Sequence, residues 1–135
     1  MATTFHLQIV TPDGGIFDGQ AVKVLCRAMD GDICILANHA DLCIPLGMGE
    51  AKVELEDGTV RYAACIGGML TVFDHQCRLV ATTWEWSDQI DLDRAKAAQQ
   101  RAREKLQQHD LDKRELSLAE AKLKRALIRT SVASR

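Results

Sequence analysis

The chain changes physical character once, at Ile90-Asp91, and few folds accommodate such a break. Before it, short apolar-alternating runs are separated by turn residues every eight or so positions. After it come forty-five residues without Gly or Pro, rich in Ala, Leu, Lys and Arg. Charge changes sign at the same place. Residues 1–90 hold 5 Lys/Arg against 12 Asp/Glu, a balance of −7, while residues 91–135 hold 12 against 7, a balance of +5. An acidic β module carrying a basic helical tail is expected, with units at 1–87 and 88–135.

The first part reads as strands. In residues 4–10, Phe5, Leu7 and Ile9 share one face; Val22, Val24, Cys26 and Ala28 repeat with period two. Thr11-Pro12-Asp13-Gly14-Gly15 and Asp30-Gly31 are turns by composition. Asp57-Gly58, between Val53/Leu55 and Val60/Tyr62/Ala64, is the strongest hairpin signal, because both residues tolerate positive φ. Gly67-Gly68 reads as a chain break. The spacing predicts an antiparallel β-sandwich of about ten strands, an α+β chain once the helices are added. With aromatics at only 4%, its core must be aliphatic.

In the second part Leu92, Ala95, Ala98, Ala102 and Leu106 fall at helical spacing behind Asp91, a suitable N-cap. Residues 107–111 interrupt the pattern. Asp112 and Glu115 then open a second helix whose seam is Leu116, Ala119, Leu123 and Ala126 or Leu127. Two helices this short need a packing partner, so an antiparallel hairpin follows. Alanine seams allow close approach with little buried area.

Several function classes fall away. No stretch approaches the roughly 18 apolar residues of a membrane span, and residues 1–6 lack the regions of a signal peptide. Five cysteines at irregular spacing argue against a disulfide framework. His39 with Cys34 or Cys43 has neither metal-ligand nor nucleophile spacing, so no catalytic residue, metal or required cofactor is assigned. The basic tail is compatible with nucleic acid. Acidic residues interleave, however, and no aromatic follows Trp86 to stack on bases, so an acidic protein surface is the expected partner. Trp84 and Trp86 either seat the hairpin or simply finish the last strand.

Thr11-Pro12-Asp13-Gly14 with Phe17 and Gly19 resembles the opening of the epsilon-subunit family of F-type ATP synthases. Gly31-Asp32-Ile33 through His39-Ala40, Gly67-Gly68-Met69-Leu70-Thr71-Val72 and Ile90-Asp91-Leu92-Asp93-Arg94-Ala95 follow in that family's order. The resemblance implies a non-catalytic central-stalk subunit with a β-sandwich and a two-helix hairpin. Its implied partners are the gamma subunit, the ring of c subunits (near Asp32 and His39) and, through the basic helices, the catalytic beta and alpha subunits. It implies a peripheral place on the cytoplasmic face of the bacterial inner membrane, with membrane association only through the complex. Residues 37–41 depart from the family, whose loop carries Pro-Gly before the histidine and Pro after the alanine.

Arg94 and Arg101, seven apart, share a face of the first helix; Arg125 and Arg129, four apart, share one of the second. Antiparallel packing would bring the four together, where an anion relieves their repulsion and phosphate suits guanidinium geometry. Alone, each is equally a solvated helix residue. The Ile90-Asp91-x-x-Arg94-Ala95 motif resembles the ATP-binding signature of some bacterial members, and Glu85, Arg125 and Arg129 match positions implicated there. ATP as a regulatory ligand of a mobile hairpin that restrains ATP hydrolysis is the expectation; a static adaptor or a nucleic-acid module are the alternatives.

Overall fold

A computed structural model describes residues 3–135. Six strands come first: β1 (Phe5–Thr11), β2 (Gly14–Ala28), β3 (Gly31–Leu36), β4 (Leu42–Leu55), β5 (Val60–Phe73) and β6 (Gln76–Trp86). A single 3-10 turn, Ser87–Gln89, leads to α1 (Leu92–Leu106) and α2 (Lys113–Ala133). The chain divides into two compact units, Met1–Trp86 and Ser87–Arg135. No helix among the described residues is long and apolar enough to cross a membrane.

The sheet runs β1-β6-β5-β4-β2-β3, and β1 also pairs with β2, so five strands close on themselves with β3 flanking β2. The sandwich character holds, but the described residues form six strands and not about ten, and β1 runs parallel to β6. The shortfall has a physical cause: β2, β4 and β5 are 14–15 residues long and continue through glycines that mimic breaks. Gly67 and Gly68 both have positive φ, yet the β5–β6 register is the same on either side of them. A Cβ on Gly68 would overlap the Val80 carbonyl, so glycine here permits a bend inside a strand. β2 serves β1 with its first half and β4 and β3 with its second, doing the work of two short strands.

The β4–β5 hairpin turns at Asp57-Gly58, but only Gly58 (φ 87) is left-handed; Asp57 Oδ1 instead accepts from the Thr59 N–H at 2.9 Å. Two consecutive left-handed residues do occur, at Asp74 (φ 52) and His75 (φ 62), where β5 meets β6. That tight turn carries no glycine and rests on Asp and His, which enter the left-handed region more readily than other non-glycine residues.

Leu7, Ile9, Val24, Ile35, Val53, Leu70 and Leu79 are fully buried in the first unit. Cys26 is buried as its parity predicts, and so are Cys65 and Cys77. Burial pushes the Cys65 and Cys77 thiols up to about 12, and desolvation raises Cys26 well above the ordinary thiol range. Trp84 and Trp86 end β6 buried in this core, edge to face with centroids 5.2 Å apart, and the Arg61 guanidinium lies 3.8 Å from the Trp86 ring.

In the second unit Asp91 and Asp112 cap their helices, accepting from the N–H groups of Arg94 (3.1 Å) and Glu115 (2.8 Å). The Glu115 carboxylate pairs not with its own cap but with Lys105 on α1, at 3.5 Å. The buried seam is narrower than the periodicity predicts: Ala95 and Ala102 on α1, Ala119 and Ala126 on α2, with Val132 beyond. Leu116, expected in the seam, is exposed, and of the alternatives Ala126 and Leu127 it is Ala126 that is buried. Two alanine pairs spaced by seven let the backbones close up, and longer side chains are displaced to the flanks.

Candidate functional site: a cationic cleft in the helical hairpin

Between α1 and α2 lies a cleft of about 570 Å³. Its floor is Ala98, Ala102, Ala119 and Ala126; its rim holds Arg101, Lys105, Lys122, Arg125 and Arg129 against one carboxylate, Glu115. The alanines explain the shape, since small side chains leave a groove which the long basic side chains overhang. Arg101, Lys122 and Arg125 make no ion pair among the described residues. Five cations around an apolar trough repel one another, and a bound anion relieves that repulsion while gaining charge-assisted hydrogen bonds.

Arg101, Arg125 and Arg129 are thus brought together as the sequence predicts. Arg94 is not; it stands exposed in the first turn of α1, outside the cleft. Asp91 caps the helix, Ala95 is buried in the seam and Ile90, just before the cap, is half-buried. Glu85 lies on β6, opposite Ala64 of β5, in the first unit. Lys105, Lys122 and Glu115 were missed as site residues. The signal was present: Lys122 precedes Arg125 by three, and Lys105 follows Arg101 by four, each on a shared helix face.

The first unit carries two further features. Asp32 opens β3 and pairs with Arg27 at 3.3 Å, directly across the β2–β3 ladder. His39 follows the other end of β3; its N–H donates to the Leu36 carbonyl (3.3 Å), and its Nδ1 lies 2.8 Å from the Ala40 carbonyl. Asp32 and Leu36 alone are roughly 13 Å apart along an extended strand, so the two candidate ring residues do not converge. Asn38 takes φ 64, the left-handed region that favours glycine. Asparagine tolerates this better than other non-glycine residues, which explains how residues 37–41 keep a tight turn without Pro-Gly.

An apolar row crosses the outer face of the sheet. Val10, Val80, Met69 and Pro45 are successive cross-strand partners on β1, β6, β5 and β4. Val80 and Met69 are 42% and 41% exposed, and Phe73, four residues along β5, is 68% exposed. Large apolar side chains gathered on one sheet face mark an interaction surface. Among the described residues no group of three or more His, Cys, Asp or Glu side chains is placed to hold a metal.

Comparison with known proteins gives a consistent result. The family described as "ATP synthase, Delta/Epsilon chain, beta-sandwich domain" matches residues 4–87, and "ATP synthase, Delta/Epsilon chain, long alpha-helix domain" matches residues 88–134. The chain is similar to the "ATP synthase epsilon chain" of an Exiguobacterium strain, 38% identical over 129 residues, covering 96% of this chain and 95% of that one. It is 36% identical over 135 residues to the protein of the same name from Caldanaerobacter subterraneus subsp. tengcongensis, covering 100% and 97%. A chain in the structure of the Euglena gracilis mitochondrial ATP synthase (OSCP/F1/c-ring) shares its fold, with a TM-score of 0.85. That match covers 100% of this chain and 84% of the other at 21% identity.

Proposed function

The chain belongs to the delta/epsilon-chain family of ATP synthase, whose members are non-catalytic subunits, and we propose that it is a central-stalk subunit whose hairpin restrains ATP hydrolysis and answers to ATP. The observation that carries this reading is the hairpin cleft, where Arg101, Arg125 and Arg129 overhang one alanine-floored trough. A triphosphate bridges the two helices there. At a hundred times its dissociation constant ATP adds about 2.7 kcal/mol to the state it binds, enough to move a closely balanced switch. With ATP scarce, the same cations turn to acidic surface on the catalytic beta and alpha subunits, and hydrolysis stalls.

The other contacts are assigned by chemistry. The Val10–Val80–Met69 row takes the gamma subunit, because an apolar sheet face suits a permanent stalk contact. The c-subunit ring is assigned to the Asp32 end of β3, where Met29, Ile33, Ile44 and Pro45 line a shallow cleft of about 310 Å³. His39, at the other end of β3, is the second ring contact that the resemblance implies. The subunit then sits peripherally on the cytoplasmic side of a bacterial inner membrane, held there by the complex.

The test compares ATP synthase complexes assembled with the full chain and with a chain ending at Ser87. Assembly is expected to be equal and ATP hydrolysis higher with the shortened chain. Equal hydrolysis would remove the restraint from this reading.

A further inference from the structure

Resting on the nucleotide reading of the same cleft, we infer that Lys105 and Lys122 extend the three-arginine cluster into a site for a chain of linked phosphates, with Glu115 as a brake on its affinity. Lys122 lies three residues before Arg125 and seven before Arg129, so all three stand on one face of α2 and line the cleft. At 1.5 Å of rise per residue that row is roughly 10 Å long. Across the trough Arg101 and Lys105 are separated by roughly 6 Å along α1. One phosphate group engages one or two of these cations. A row of this length is matched by several phosphoryl groups in series.

The lining holds no hydroxyl or amide side chain, only cations, alanines, Leu118 and Glu115. What these side chains recognise is phosphate charge. Glu115 is the one carboxylate, and its 3.5 Å contact neutralises Lys105, the cation nearest the closed end of the hairpin. A polyanion entering the cleft meets that carboxylate as a repulsion and competes with it for Lys105. Lys122 has no ion pair among the described residues and stands ready for the ligand.

The experiment titrates sodium tripolyphosphate, orthophosphate and ATP into the full-length chain by calorimetry at fixed ionic strength. Lys122→Gln, Glu115→Gln and Arg125→Ala variants are measured beside it. Both polar substitutions fall on exposed side chains, and Glu115→Gln keeps the N–H that Asp112 caps; unchanged helical circular dichroism checks that each variant folds. Tripolyphosphate is expected to bind saturably and orthophosphate not. Lys122→Gln is expected to weaken tripolyphosphate by roughly three- to tenfold, the worth of one charge-assisted contact at a partly exposed site. Glu115→Gln is expected to tighten it by about threefold, as removal of one screened like charge should. Wild-type affinity in both variants, with binding lost in Arg125→Ala, would overturn the inference and leave the nucleotide reading intact. So would ATP binding without tripolyphosphate binding. Binding of neither ligand would overturn both.

Discussion

The two units are held together by opposite means. In the sandwich, Leu7, Ile9, Leu70 and Leu79 are wholly buried, and each such side chain contributes about 1.5–3 kcal/mol by leaving water. In the hairpin, the inter-helix seam is four alanines, which at about 0.8 kcal/mol per buried methyl contribute on the order of 3 kcal/mol together. The 15-residue α1 is marginal alone, so this seam leaves the hairpin close to balance. On the proposed reading, a stalk platform benefits from the first construction. An element that is to respond to a ligand worth a few kcal/mol requires the second.

The contrast can be broken most forcefully in the sandwich. Leu79→Ala removes a fully buried side chain and is expected to destabilise the first unit by about 2–5 kcal/mol. Trp84 and Trp86, the chain's two tryptophans, both lie in that unit, so urea unfolding followed by tryptophan fluorescence isolates the effect. A shift below 1 kcal/mol would mean the core is less tightly packed than its burial indicates.

A pH titration separates the units next. Cys65 and Cys77 stay protonated in the fold up to about 12, against an ordinary thiol value of 9.0, and Cys26 is raised as well. Between those values the unfolded chain has released protons that the folded one keeps. Sandwich stability is therefore full below pH 9 and falls as pH rises toward 12, by up to about 1.4 kcal/mol per pH unit for each thiol. The hairpin has no cysteine, so its helical signal is not expected to share this dependence. A sandwich melt that is flat from pH 9 to 10.5 would contradict the burial of these thiols.

The smallest effect sharpens the hairpin side. Ala126→Leu forces bulk between helices that approach through alanine, at a cost of about 1–3 kcal/mol. The same substitution in a leucine seam would be tolerated. Loss of helical circular dichroism with an unchanged tryptophan melt is the expected result.

These contrasts also show where the sequence was legible. The helix starts were visible because Asp91 and Asp112 bear cap chemistry that acts within three residues. The convergence of Arg101 with Arg125 and Arg129 followed from helical geometry plus an antiparallel turn. Strand count was less legible, because Gly67-Gly68 has the same composition whether it ends a strand or bends one, and only the Val80 carbonyl opposite decides. Leu116 was misplaced because periodicity ranks residues by hydrophobicity, whereas a close-packed seam selects for small size. Arg94 was grouped with the cleft by face alone; its position in the first turn leaves it outside.

The most direct test of the central claim, that the hairpin cleft holds ATP, is calorimetric titration of ATP into the full chain beside Arg125→Ala. The account predicts saturable binding at one site, weakened at least about tenfold by losing a charge-assisted bidentate contact. Heat that does not saturate at millimolar ATP, or equal affinity in the variant, would contradict it.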